Sequence, residues 1–130
     1  MEDLDFTRRP TKSAIYDPAV ARICFESLGK VEMVAKGTIF FAENQNSDRM
    51  YLLKEGEVSV TRGGKPIDVV KAGEIFGEMA AISQLPRSAT AAARTACHVV
   101  SLDAKQFQRA IQKMPEFALM LMNILINRLR

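Results

Sequence analysis

Residues 57–71, EVSVTRGGKPIDVVK, limit the choice of fold more than any other stretch. Val58 and Val60 alternate with Glu57, Ser59 and Thr61, which is the two-residue period of a half-buried strand. Gly63-Gly64 comes next, and two adjacent residues that accept positive φ make a tight hairpin turn. PIDVVK then returns as the partner strand. Other segments have the same character. VEMVA (31–35), IFFA (39–42), MYLLKEG (50–56), SATAAAR (88–94) and CHVVSLD (97–103) are short, and most are rich in β-branched or aromatic residues. Gly37, Gly56, Gly63, Gly64 and Gly73 punctuate the run at intervals typical of an all-β barrel or double sheet.

Helical patterns flank this region. Asp17 is a good N-cap and Pro18 suits the first helical position. Val20, Ile23, Cys24 and Leu28 then fall at helical spacing and Gly29 stops them, predicting a helix over 17–28. At the other end Asp103 with Gln106 makes a capping box, and Phe107, Ala110 and Ile111 form the inner face of a second helix. Pro115 interrupts it near Met114, and a last helix is expected over 116–130. The order is therefore one helix, about eight strands and two helices, with no internal repeat.

Bulk properties narrow the function classes. The chain has 130 residues, enough for one domain, and a formal net charge of +3, too mild to signal nucleic acid or a membrane surface. Arg8-Arg9 lies in a stretch expected to be a flexible arm over residues 1–13, which lacks the apolar segment of a signal peptide. The longest apolar run, 117–126, is too short and too broken by Asn123 to span a bilayer. Cys24 and Cys97 have no metal-ligand spacing and read as buried thiols in a reducing compartment, so a cytoplasmic protein is expected. His98 neighbours Cys97, but adjacent strand residues point to opposite faces, which argues against a Cys–His metal pair or dyad. No catalytic base or metal constellation stands out, and no enzyme is expected.

The stretch that asks for a ligand is GEIFGEMAAISQLPRSATA, 73–91. It reads as interior, yet it contains Glu78 and Arg87, and charges are rarely buried unless paired. The plain explanation is an internal salt bridge. The alternative is a phosphate diester carrying a ribose. Arg offers the phosphate a fixed fork of donors, backbone N–H groups of a short helix or small-residue loop add more, and a carboxylate is the strongest acceptor for a ribose hydroxyl. Gly77, Ala80, Ala81, Ser88 and Ala89 leave room for close approach, and Pro86 stiffens the loop presenting Arg87.

FGEMAAISQLPRSATA resembles the phosphate-binding cassette of the cyclic nucleotide-binding domain family, whose pattern is F-G-E-[LIM]-[AG]-L, variable residues, then P-R-[STA]-A-[TS]. Phe76, Gly77, Glu78, Met79, Ala80, Pro86, Arg87, Ser88, Ala89 and Thr90 match it, and Arg87 follows Glu78 at the family's nine-residue step. KGTIFF and YLLKEGEVSV have counterparts too, so the resemblance runs over 17–130. It implies a double-stranded β-helix (jelly-roll) barrel with flanking helices, forming a cyclic nucleotide-binding domain over 14–130. It implies Glu78 on the ribose 2′-hydroxyl, and Arg87, the Ala80 and Ala89 amides and the Ser88 hydroxyl on the cyclic phosphate. Phe76, Gly77, Met79 and Pro86 complete the candidate ligand-binding set. The implied ligand is cyclic AMP, with cyclic GMP as second candidate, since a Thr after the cassette Arg often accompanies cyclic GMP and Ser88 keeps only the hydroxyl. No cofactor is implied.

Two departures stand out. In FAENQNSDRMY the family usually has Gly-Asp, so Asn44 or Asn46 must take the left-handed position. In the bacterial activators the last helix runs further and its later turns contact the base, and a helix-turn-helix follows. Here a base-side lid and an effector domain would have to come from elsewhere, and no direct nucleic-acid binding is expected. The apolar residues of 117–126 surround most of the last helix, which favours a homodimer or an absent effector domain as cover. The competing reading is a structural or oligomerisation module of the same fold that has lost its ligand. If the site is empty, Arg87 is expected to be poorly ordered or borrowed by a solvent anion, and not locked onto Glu78.

Overall fold

The computed structural model describes residues 18–128. The 1–13 arm, the Asp17 cap and residues 129–130 lie outside the described residues. The chain runs α1 (Pro18–Leu28), β1 (Lys30–Val34), β2 (Ile39–Phe41), β3 (Met50–Glu55), β4 (Glu57–Arg62), β5 (Lys65–Lys71), β6 (Ile75–Phe76), α2 (Glu78–Ser83), β7 (Thr90–Ala93), β8 (Cys97–Leu102), α3 (Ala104–Lys113) and α4 (Glu116–Arg128). The expected mainly-β architecture with an N-terminal helix and two C-terminal helices is observed, together with the short helix between Gly77 and Gln84.

The strands form two four-stranded antiparallel sheets, ordered β1-β8-β3-β6 and β2-β7-β4-β5. This double sheet is the jelly-roll the sequence predicted. The Gly63-Gly64 turn closes β4 on β5 with both glycines at positive φ, 58° and 77°.

The first sheet is the middle layer of three. Its alternate residues Met50, Leu52, Val100 and Leu102 pack against Phe25, Phe117, Met120 and Leu121 of α1 and α4. The intervening Tyr51, Leu53 and Val99 pack against Val58, Val70, Ala91 and Ala93 of the second sheet. Burial on both faces explains why MYLL reads as a continuous apolar run, whereas EVSVTR, on the outer sheet, alternates. Phe117 meets Phe25 edge-on at 5.8 Å, and both are fully buried. Each such side chain contributes about 1.5–3 kcal/mol relative to exposure.

Ile23 of α1 is about half exposed, and Ala21 and Phe25 join Cys24 inside. Phe25 fills the space beside Phe117. At the far end the Asp103 carboxylate accepts from Gln106 N–H, and Gln106 Oε1 accepts from Asp103 N–H, completing the predicted capping box. α3 ends at Met114, and Pro115 separates it from α4.

Candidate functional site

β6 holds the start of the cassette, pairing Phe76 with Tyr51 and Ile75 with Leu52. Gly77 then turns into α2 with φ 79°. A Cβ at Gly77 would lie 3.1 Å from Arg87 Nη1 and from the Phe41 ring, and 3.2 Å from the Arg49 carbonyl. Conformation and space therefore both call for glycine. Glu78, Met79 and Ala80 form the first turn of α2, where N–H groups have no partner within the helix. Gln84 ends α2 in the left-handed region, and the chain runs on to Arg87 and β7.

Arg87 is 3% exposed. Its Nη1 donates to the Gly77 carbonyl at 2.7 Å, and Nη2 donates to Ser47 Oγ at 3.1 Å and to the Arg49 carbonyl. The guanidinium lies 4.0 Å above the Phe41 ring, over a cluster in which Tyr51 stacks on Phe76 at 4.9 Å. Its Nε is buried with no partner among the described residues. Burial lowers the Arg87 pKa from its ordinary value, and the negative ends of Tyr51, Glu78 and Asp48 partly offset that. The same desolvation raises the pKa of the Tyr51 phenol, while the cationic Arg87 and Arg49 oppose it. None of the ion pairs among the described residues involves Arg87. A buried cation in direct contact with neutral oxygens and an aromatic face, and with no ion-pair partner among the described residues, is a ready partner for an anion.

The loop that departs from the family pattern is what sets Arg87 in place. Asn44 takes the left-handed conformation, with φ 66°. Its N–H donates to the Arg87 carbonyl at 2.8 Å, and the Arg87 N–H donates to the Gln45 carbonyl at 2.9 Å. On the other side Arg62 Nε donates to the Ser88 carbonyl at 3.0 Å, tying the cassette to the β4–β5 hairpin.

Glu78 is 1% exposed, and its partner is not Arg87. Arg128, fifty residues on in α4, donates Nη1 to Glu78 Oε1 and Nη2 to the Ile75 carbonyl. The Arg128 side chain is about one-third exposed (32%), so the bridge has one buried end and one wet end. The two charges of the cassette do not serve each other, as the sequence suggested. Main-chain carbonyls, Ser47 and Phe41 hold Arg87.

These groups share one cleft. Phe76, Gly77, Glu78, Met79, Ala80, Arg87, Ser88 and Ala89 line one side, whereas Pro86 is exposed and outside the lining. Sequence reasoning missed Phe41, Arg128 and the opposite wall, formed by Val60, Arg62, Ile67, Asp68 and Val70 of the β4–β5 hairpin. The one signal for Arg128 was a cation closing an otherwise apolar helix. Elsewhere, Cys97 is buried while the adjacent His98 is only half-buried, as alternate faces of β8 require. Among the described residues no helix is long and apolar enough to cross a membrane.

The family model for the Cyclic nucleotide-binding domain matches residues 31–114. The chain is 37% identical over 82 residues to a cAMP-dependent protein kinase regulatory subunit of Yarrowia lipolytica, covering 62% of this chain and 22% of that protein. It is 38% identical over 86 residues to a cyclic nucleotide-gated potassium channel of Rhizobium etli, covering 66% and 24%. The crystal structure of the Thermus thermophilus catabolite activator protein superposes with a TM-score of 0.79 at 26% identity, covering 88% of this chain and 55% of that one. The matched region spans about a quarter of the length of these two curated relatives. With a match over 31–114, the double sheet and the cassette cleft in place, the chain belongs to the cyclic nucleotide-binding domain family.

Proposed function

We propose that the chain is a sensory module that binds a 3′,5′-cyclic nucleotide, cyclic AMP in the first instance, and is not an enzyme. The observation that carries this is Arg87: a guanidinium 3% exposed, without a carboxylate partner among the described residues, on the wall of an open cleft. In this reading the cyclic phosphate pairs with the Arg87 guanidinium and the first-turn amide of Ala80, with Ser88 and the Ala89 amide beside it. Glu78 accepts from the ribose 2′-hydroxyl. A kinase regulatory subunit named for its dependence on cAMP is among the similar proteins, which supports adenine as the base.

The same geometry suggests how occupancy is passed on. Glu78 faces both the ribose position and Arg128, so a ligand that shifts the carboxylate shifts the end of α4, with Met114-Pro115 as the hinge. Coupling of this kind is worth about 1–3 kcal/mol. Two buried free thiols agree with a cytoplasmic setting. Calorimetric titration with cyclic AMP, against 5′-AMP as comparator, tests the proposal. Saturable binding of the cyclic diester with weaker 5′-AMP is expected, and a flat titration at millimolar cyclic AMP would sink it.

A second reading has its own support. Leu119, Met122 and Ile126 of α4 are 51%, 57% and 42% exposed and lie along one side of the helix. A second copy of the chain or an effector domain would cover them. Flat titration together with a dimer in sedimentation would favour an oligomerisation module that has lost its ligand.

A further inference from the structure

We propose that Asp68 reads the base, its carboxylate accepting the exocyclic amino group of adenine and disfavouring the carbonyl that guanine carries at the same carbon. This rests on the cyclic nucleotide reading above. Arg87 and Glu78 fix where phosphate and sugar can lie, so the base must occupy the rest of the cleft, along β4 and β5. That wall is apolar at Val60, Ile67 and Val70, suited to the flat face of a purine, with Asp68 set among them.

The register explains how an acid comes to be there. Val58 pairs with Val70 and Val60 with Asp68, and residues directly opposite share a face of the sheet. Val58 and Val70 are buried core residues, so Asp68 continues the inward-facing row where an apolar residue would otherwise serve. Thr61 then pairs with Pro66, which leaves Ile67 as the extra residue of a bulge and turns both Ile67 and Asp68 to the cleft. One carboxylate oxygen, Oδ1, accepts from the Val69 N–H at 2.8 Å, which steadies the group. Its other oxygen has no hydrogen bond or ion pair among the described residues. The cation nearest in the hairpin sequence that also lines the cleft, Arg62, is engaged with the Ser88 carbonyl.

An ionised carboxylate only accepts. An amino group facing it makes a charge-assisted hydrogen bond, and a carbonyl facing it is repelled with neither group satisfied. Discrimination therefore comes from both the attractive and the repulsive case. Wild type, Asp68→Ala and Asp68→Asn should each be titrated with cyclic AMP and cyclic GMP in one buffer, with thermal unfolding as the fold control. Asp68 is exposed, so unfolding temperatures should match. Cyclic AMP affinity should fall about tenfold in Asp68→Ala, the order for one hydrogen bond to a charged group, with cyclic GMP unchanged or tighter. Asp68→Asn, which keeps a carbonyl acceptor but adds a donor, should narrow the preference further toward guanine. An unchanged cyclic AMP to cyclic GMP ratio overturns the assignment alone. So does a larger loss for cyclic GMP, which would mean that Asp68 meets the guanine N1–H and N2 amino edge. Wild type binding neither nucleotide overturns the nucleotide reading and this assignment with it.

Discussion

Arg87 and Glu78 lie in the same cassette, are almost equally buried and carry opposite charges, yet they are held by different kinds of structure. Arg87 is fixed by the loops that join β2 to β3 and β6 to α2, with one strand residue beside them: carbonyls of Gly77 and Arg49, the Ser47 hydroxyl, the Phe41 ring and a main-chain exchange with residues 44 and 45. Glu78 depends on one cation at the end of α4, which reaches it across the cleft. The positive end is thus preorganised by loops between strands, and the negative end is conditional on where a helix sits. Preorganised charge gives affinity at little further cost. Conditional charge gives a way for the helix to register that the site is filled.

Replacing the preorganised end should do the most harm to binding. Arg87→Ala is expected to weaken cyclic AMP binding by about 2–5 kcal/mol, because a buried phosphate loses its partner. Arg87→Lys should recover little of it, since a single ammonium cannot span the Gly77 and Arg49 carbonyls as the fork does. Calorimetry reads both, and wild-type affinity in Arg87→Ala would dissolve the distinction between the two ends.

The conditional end should show itself as stability as well as affinity. Arg128→Ala leaves a buried carboxylate without its counter-ion, a loss of about 3–5 kcal/mol when both groups are enclosed. Because the Arg128 side chain is one-third exposed, water offsets part of that, and about 1–3 kcal/mol is expected in urea unfolding. Arg128→Ala together with Glu78→Gln should restore much of the stability, and a double variant no more stable than Arg128→Ala would mean the bridge is incidental.

Gly77→Ala joins the two ends, since Gly77 precedes Glu78 and its carbonyl holds Arg87. The left-handed backbone alone costs about 1–2 kcal/mol with a Cβ present. The atoms it would meet at 3.1–3.2 Å include the Arg87 guanidinium and the Arg49 carbonyl, so affinity should fall along with melting temperature. The smallest effect is expected at a distance from the cleft. Asp103→Ala removes the capping box of α3 for about 1 kcal/mol of stability and should leave cyclic AMP affinity unchanged. Altered affinity there would mean that α3 takes part in holding the site.

Much of the fold was legible because its signals are local. The Gly-Gly hairpin, the Asp103–Gln106 box and the Pro115 break each depend on residues within a few positions of one another. The cassette was legible for the same reason: an acid, small residues and an arginine within one stretch. Arg128 was not, because its partner is fifty residues away and only the packing of α4 brings them together. Asp68 was not, because Val69 and Val70 are both apolar and alternation alone leaves open which face of β5 turns inward. The groups that hold Arg87 were not legible for a related reason. Its partners are mostly main-chain carbonyls, and a carbonyl leaves no mark in a sequence.

The junction between α3 and α4 offers a way to time the helix. The Cys24 thiol of α1 lies against Met114 Sδ at 3.4 Å, at the point where α3 stops. It is 2% exposed, and burial raises its pKa, with Glu116 adding to the shift. The thiolate is the form that attacks a disulfide reagent and expels its aromatic thiolate, so Cys24 is shielded twice while α1, α3 and α4 stay together. In a Cys97→Ser background, the rate at which an aromatic disulfide reagent labels Cys24 would measure how often this junction comes apart. Cys24 would therefore serve as a chemical clock at the α3–α4 junction, readable with and without nucleotide and without adding a dye.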